Sequence, residues 1–265
     1  MSGVLNHVER GTGDPALVFV HGLACALEDW DAQVRALSAR HRCIAVDLPG
    51  HGASPAGGAL RIARFGEQVA KSVRALDAAP AVLIGHSMGC RVVLDAARRL
   101  AGDVAALVLV DGSLRGSGDA EAARAATRAT IQAAGFASYA NGLFDAMFTP
   151  HSDEALRRHI VSRALRLDAD AGTELVADLA AWDAAQMDVA LAAVRTPLLL
   201  IQSTGVDAQR NRVPLQPGQS TPWVDRVCAG VPGARIEIIP GVGHFTMHEA
   251  AERVSGLIAE FAAGA

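Results

Sequence analysis

Lysine is nearly absent from this chain: of 24 basic residues only Lys71 is not an arginine. The bases are interspersed with 28 acids, for a net charge of −4, so no basic stripe or polybasic tail is left for nucleic acid or a membrane surface. Cysteine is equally sparse. Cys25, Cys43, Cys90 and Cys228 are scattered, with no C-x-x-C pair for redox or zinc chemistry, and Cys43 and Cys90 read as buried free thiols. No apolar run approaches the roughly 18 residues of a membrane helix, and the start, MSGVLNHVERG, has no basic segment followed by an apolar one. The expectation is a soluble cytoplasmic protein. There is no Walker loop, no dinucleotide glycine pattern after a strand and no H-x-x-x-H pair, so the sequence implies neither cofactor nor metal.

What the chain does have is apolar residues, 51% of its 265, enough for a large core. They fall in short continuous runs, Leu17–Val20, Cys43–Val46, Val82–Ile84, Leu107–Val110 and Leu198–Ile201, and a last strand is expected at Arg235–Ile239. Runs of this kind, separated by helical patterns and short loops, predict parallel strands covered on both faces. The fold class is therefore α/β, a mostly parallel, doubly wound sheet flanked by helices. The alternation stops between Leu114 and Leu191, where the spacing is helical and no strand is evident. The organisation expected is a core domain in two parts, 1–113 and 192–265, with a helical cap inserted at 114–191. Phe136, Tyr139, Phe144, Phe148 and Trp182, five of eleven aromatics, lie in that insertion and are candidates for an apolar pocket roof or for the cap's own core. A last helix is expected from Thr246 to about Phe261, with Thr246 and Glu249 at capping-box spacing.

The motif richest in chemistry is Ala81–Cys90, AVLIGHSMGC: a strand, then Gly85-His86-Ser87-Met88-Gly89, then a helix. G-x-S-x-G at a strand-to-helix junction is a nucleophile elbow, a strained turn that holds the serine hydroxyl clear of the sheet. Gly85 and Gly89 are needed where backbone passes close, and the turn aims the Met88 amide at a developing oxyanion.

Three further motifs accompany it: His21-Gly22-Leu23, Asp47-Leu48-Pro49-Gly50-His51-Gly52-Ala53-Ser54, and Gly241-Val242-Gly243-His244-Phe245. In this order the four resemble the α/β-hydrolase superfamily, from about Val4 to Phe261, with its eight-stranded type of sheet. The resemblance implies Ser87 as nucleophile, His244 as its base, and the backbone amides of Leu23 and Met88 as oxyanion donors. It places the acid after the strand Leu198–Ile201, in a G-x-x-D pattern. Here Gln202-Ser203-Thr204-Gly205-Val206-Asp207 brings the carboxylate one residue late, with Ser203 at the usual glycine. Asp207 is the favoured acid. Asp111, after the preceding strand, is the alternative, a position that some relatives use. His86, His21 and His51 read as structural.

The activity so implied is that of a serine hydrolase on a small or medium ester, lactone or thioester with an apolar acyl part. Carbon–carbon bond hydrolases and cofactor-free perhydrolases share these motifs. A non-catalytic small-ligand-binding protein on the same fold is the alternative of another class.

Overall fold

The computed structural model describes residues 3–207 and 212–264. The chain runs β1 (His7–Arg10), β2 (Ala16–Val20), α1 (Asp31–Leu37), β3 (Cys43–Val46), α2 (Ile62–Ala75), β4 (Ala81–His86), α3 (Met88–Leu100) and β5 (Val104–Val110). Four helices follow: α4 (Ala120–Ala134), α5 (Phe136–Asp145), α6 (Glu154–Ala164) and α7 (Ala169–Ala192). It closes with β6 (Leu198–Gln202), β7 (Thr204–Val206), β8 (Arg212–Pro214), α8 (Pro222–Gly230), β9 (Arg235–Ile238), α9 (Thr246–Glu249) and α10 (Ala251–Ala262).

Among the described residues the main sheet has seven strands, in the order β1-β3-β2-β4-β5-β6-β9. That is one fewer than the eight-stranded type expected. All its pairings are parallel except that of β1 with β3. Strands β2, β3, β4 and β6 are buried at every position, which is why their sequences are unbroken apolar runs. Two elements carry no such signal. β1 is a half-exposed edge strand, HVER, and β7 with β8 forms a separate three-residue antiparallel hairpin. The expected final helix is broken at Ala250, whose φ of −132° is not helical. The capping box does not form there either. Glu249 instead accepts from the Gly243 amide at 3.1 Å and from Ser152 at 2.8 Å, so its carboxylate ties two loops together.

The C-terminal ends of the central strands are linked in steps. The Ser87 amide donates to Val110 O at 3.0 Å, and the Asp111 amide to Ile201 O at 2.8 Å. Residues 87 and 111, each just past its strand, therefore stand side by side at one edge of the sheet. Cys43 and Cys90 are buried free thiols, and burial pushes each up to about 12. Among the described residues, no helix is long and apolar enough to cross a membrane.

The elbow depends on close backbone approach. A Cβ on Gly85 would lie 2.3 Å from Gly89 O, and one on Gly89 would lie 2.4 Å from Val20 O. Both neighbours are main chain and cannot rotate away. Gly89→Ala is expected to lower unfolding free energy by about 1–3 kcal/mol. Chemical denaturation of both proteins measures this, and an unchanged midpoint would contradict the packing argument.

Candidate active site

Ser87 occupies the turn between β4 and α3 with φ 55° and ψ −112°. A positive φ is strained for a residue with a side chain, and the ladder bond to Val110 and the glycines on either side hold it there. The result is a serine that is half-buried while β4 before it is fully buried. His244 Nε2 lies 2.8 Å from Ser87 Oγ.

The His244 loop is fixed from two sides. Its amide donates to Met147 O at 2.9 Å, between α5 and α6, and its carbonyl accepts from His86 Nε2 at 2.9 Å. Because His86 must donate through Nε2, its Nδ1 carries no proton. That atom is buried without a partner among the described residues. Burial, then the neighbouring His244, bring the His86 pKa down to about 3, which keeps it a neutral prop. His21 is likewise structural, its Nε2 accepting from the Leu48 amide at 3.0 Å.

The carboxylate that the structure brings to His244 Nδ1 is Asp111, the alternative acid, at 2.6 Å, and not the favoured Asp207. Asp207 follows β7 in the hairpin, half-exposed beside Val206. Asp111, by contrast, is fully buried and gathers donors. Oδ1 accepts from Ser203 N at 2.7 Å, Ser203 Oγ at 3.0 Å and Thr204 N at 2.8 Å. Oδ2 accepts from Thr204 Oγ1 at 2.6 Å and Arg212 Nη1 at 3.3 Å, besides the imidazole. The loop that displaced the acid by one residue supplies the hydroxyls and amides that hold the other acid.

Electrostatics follow from these contacts. Burial pushes the Asp111 carboxyl up, but the His244 hydrogen bond and charge, Arg212 and Thr204 outweigh it and leave it at about 2. Burial first, then the Arg212 charge, bring His244 down to about 4, against the opposing pull of Asp111. An ionised Asp111 fixes the proton on Nδ1, so the Nε2 lone pair faces the serine hydroxyl. The chemistry available to this arrangement is activation of an alcohol by a neutral imidazole.

Gly22 packs against the elbow, an added Cβ lying 3.2 Å from Ser87 Cβ. Leu23 is therefore brought beside Ser87. Met88 is the first residue of α3, and neither its amide nor that of Leu23 donates to a backbone acceptor among the described residues. Two such N–H groups next to a serine can hold an oxyanion.

The five aromatics divide. Phe136, Tyr139 and Phe144 line a small apolar cavity with Leu23 and Ala24. Phe148 instead stacks on Phe245, with ring centroids 5.1 Å apart, next to His244. Trp182 is buried within α7 and lines no cavity described here. A larger cavity of about 760 Å³, bounded by Ser113–Ser117, Tyr139, Leu143 and Arg212, shares the Tyr139–Leu143 wall with the small one. Sequence reasoning missed Arg212, Ser203 and Thr204 as parts of this site. The displaced loop pattern was their only signal.

Residues 17–257 match the Alpha/beta hydrolase family, and the chain belongs to it. It is 35% identical over 85 residues to an (E)-2-((N-methylformamido)methylene)succinate hydrolase of Acinetobacter baylyi, across 32% of each chain. It is 39% identical over 113 residues to a pimeloyl-[acyl-carrier protein] methyl ester esterase of Sodalis glossinidius, across 42% of each. These matches thus span well under half of the curated relatives' lengths. In three dimensions it is similar to a thermophilic esterase from Thermogutta terrifontis, with TM-score 0.78 and 23% identity over 97% of this chain and 92% of that one.

Two outcomes follow. Asp111→Asn is expected to lower kcat by about 10⁴-fold, because an amide no longer selects the productive imidazole tautomer. Asp207→Asn is expected to stay near the parent rate. A parallel measurement on one ester decides, and the reverse ranking would return the role to Asp207. In the pH profile, His244 must be neutral to act as base. The acid limb of kcat/KM should therefore have its midpoint at about 4 instead of the ordinary 6.5, with activity lost below it. Arg212→Met removes a charge that opposes protonation and should move that midpoint upward.

Proposed function

We propose that this protein is a serine hydrolase that cleaves small or medium esters, lactones or thioesters through an acyl-enzyme on Ser87. One observation carries the reading: a strained serine hydroxyl 2.8 Å from an imidazole whose other nitrogen meets a buried carboxylate at 2.6 Å. In the proposed cycle Ser87 Oγ attacks the carbonyl carbon as its proton passes to His244 Nε2. The carbonyl electron pair moves onto oxygen, where the amides of Leu23 and Met88 receive it. Collapse expels the alcohol or thiol, which takes the proton from His244. Water then repeats the attack on the acyl carbon, its proton going to His244 and returning to Ser87, and the acid is released.

The names of the two curated relatives, a methyl ester esterase and a succinate-derivative hydrolase, support hydrolysis at a carbonyl. On this reading α4–α7 form a cap that closes over the elbow.

Turnover of p-nitrophenyl butyrate tests the proposal. Ser87→Ala is expected to lose about 10⁶-fold in kcat, and a fluorophosphonate should label Ser87 in the parent, read by peptide mass spectrometry. Equal rates in parent and variant would remove the hydrolase reading and leave ligand binding on the same fold.

A further inference from the structure

The larger cavity, which Arg212 joins to Asp111, is cationic. Its described lining contains Arg115, Arg212 and Arg226 and no carboxylate. The three differ in how their charge is met. Arg226 is offset by Asp188 at 2.7 Å. Arg212 lies 3.3 Å from Asp111, a carboxylate already shared with His244 and with the donors of Ser203 and Thr204. The Arg115 guanidinium makes no ion pair with a carboxylate among the described residues, and it donates to Tyr139 Oη at 2.6 Å.

That last contact organises a donor pair. With one lone pair of the phenol oxygen taken by Arg115, the Tyr139 O–H is left to donate, and both residues line the same cavity. The segment is held firmly. The Arg115 amide donates to Asp183 Oδ2 at 2.7 Å, and the same carboxylate is paired with the fully buried Arg91 at 2.6 Å. The cavity is linked to the candidate site through Arg212, which lies 3.3 Å from Asp111, and it shares Tyr139 and Leu143 with the apolar cavity that Leu23 lines. At about 760 Å³ it has room for part of a small ligand.

We infer that the substrate bears a carboxylate at the end remote from the scissile carbonyl, and that Arg115, with Tyr139, is the group that binds it. This rests on the hydrolase reading above and refines its substrate class. Arg115 is the specificity-determining cation, and Arg212 adds its field from behind.

The test uses the full chain and a series of monomethyl esters of linear dicarboxylic acids, glutarate to suberate, each against the methyl-ended ester of equal length. At the best length, kcat/KM for the charged ester is expected to exceed that of its neutral partner at least tenfold. Loss of a charge-assisted hydrogen-bonded pair is typically roughly ten- to a hundredfold, so Arg115→Gln should collapse the ratio and Arg115→Lys should restore part of it. Raising NaCl from about 0.05 to about 0.5 M should lower the parent's ratio by screening, a measurement that needs no variant. A ratio at or below one at every length overturns the inference, as does one indifferent to Arg115→Gln. If Arg115→Gln fails to fold, a ratio indifferent to salt overturns it. In each of these cases Ser87-dependent turnover of the neutral ester leaves the hydrolase reading intact. Should the parent cleave neither ester and resist fluorophosphonate, the hydrolase reading fails instead. Calorimetry with adipate then decides: binding weakened in Arg115→Gln supports the carboxylate site, and no binding overturns it.

Discussion

The site hangs on one buried carboxylate. Asp111 sits in the core with no exposed surface, where a lone charge would take up a proton. Two amides, two hydroxyls, a guanidinium and an imidazole converge on it and keep it ionised. Its charge then does two things at once. It selects the His244 tautomer, and it anchors the loop carrying Ser203 and Thr204 against the end of β5. Ser203 Oγ also lies 2.9 Å from Gly243 O, an acceptor that competes with Asp111 for its one proton, and 2.7 Å from Thr246 Oγ1, so the imidazole's own loop is braced by the same group of residues.

The meeting of Ser87 and His244 was legible because each stands in a local motif: the elbow needs its glycines close to the serine, and the histidine follows the last strand. The carboxylate that meets the imidazole was not, because what distinguishes Asp111 from Asp207 is three-dimensional. Its partners come from Ser203 and Thr204, far along the chain, and no local spacing encodes them. The clue was present in the loop itself, where a hydroxyl replaced the usual glycine and the expected carboxylate came late. The buried strands were legible for a simple reason, that burial on both faces leaves only apolar residues. β1 and the β7–β8 hairpin lie at edges, are short and half-polar, and so imitate loop. The mixed fate of the five aromatics has the same origin, since a pocket wall and a helix core draw on the same side chains.

Two of the strained positions lie at the end of the sheet where the chemistry is proposed. Ser87 and Asp111 both have positive φ, 55° and 44°, immediately after neighbouring strands. Such conformations cost roughly 1–3 kcal/mol each and persist only where the surroundings enforce them. The enforcing contacts are the ladder bonds of each residue to the next strand and the buried Arg91–Asp183 pair. That pair ties the helix leaving the elbow to α7 and to the Ser113–Arg115 segment. Breaking one side of it would strand a buried charge, so the elbow and the helices above it are coupled by electrostatics as well as packing.

Arg212 links that framework to the charge balance of the site. It helps keep Asp111 ionised, yet its field is the second cause, after burial, of the low basicity of His244. A weakly basic imidazole is neutral and ready throughout the neutral range, but it is also a reluctant proton acceptor when the serine attacks. On the proposed binding mode, a substrate carboxylate at Arg115 brings a negative charge into the same cavity as Arg212. It offsets part of the cationic field that opposes protonation of His244. The ligand that fits the cavity thereby strengthens the base at the moment the base is needed, and a neutral ester would lack both the contact and that effect.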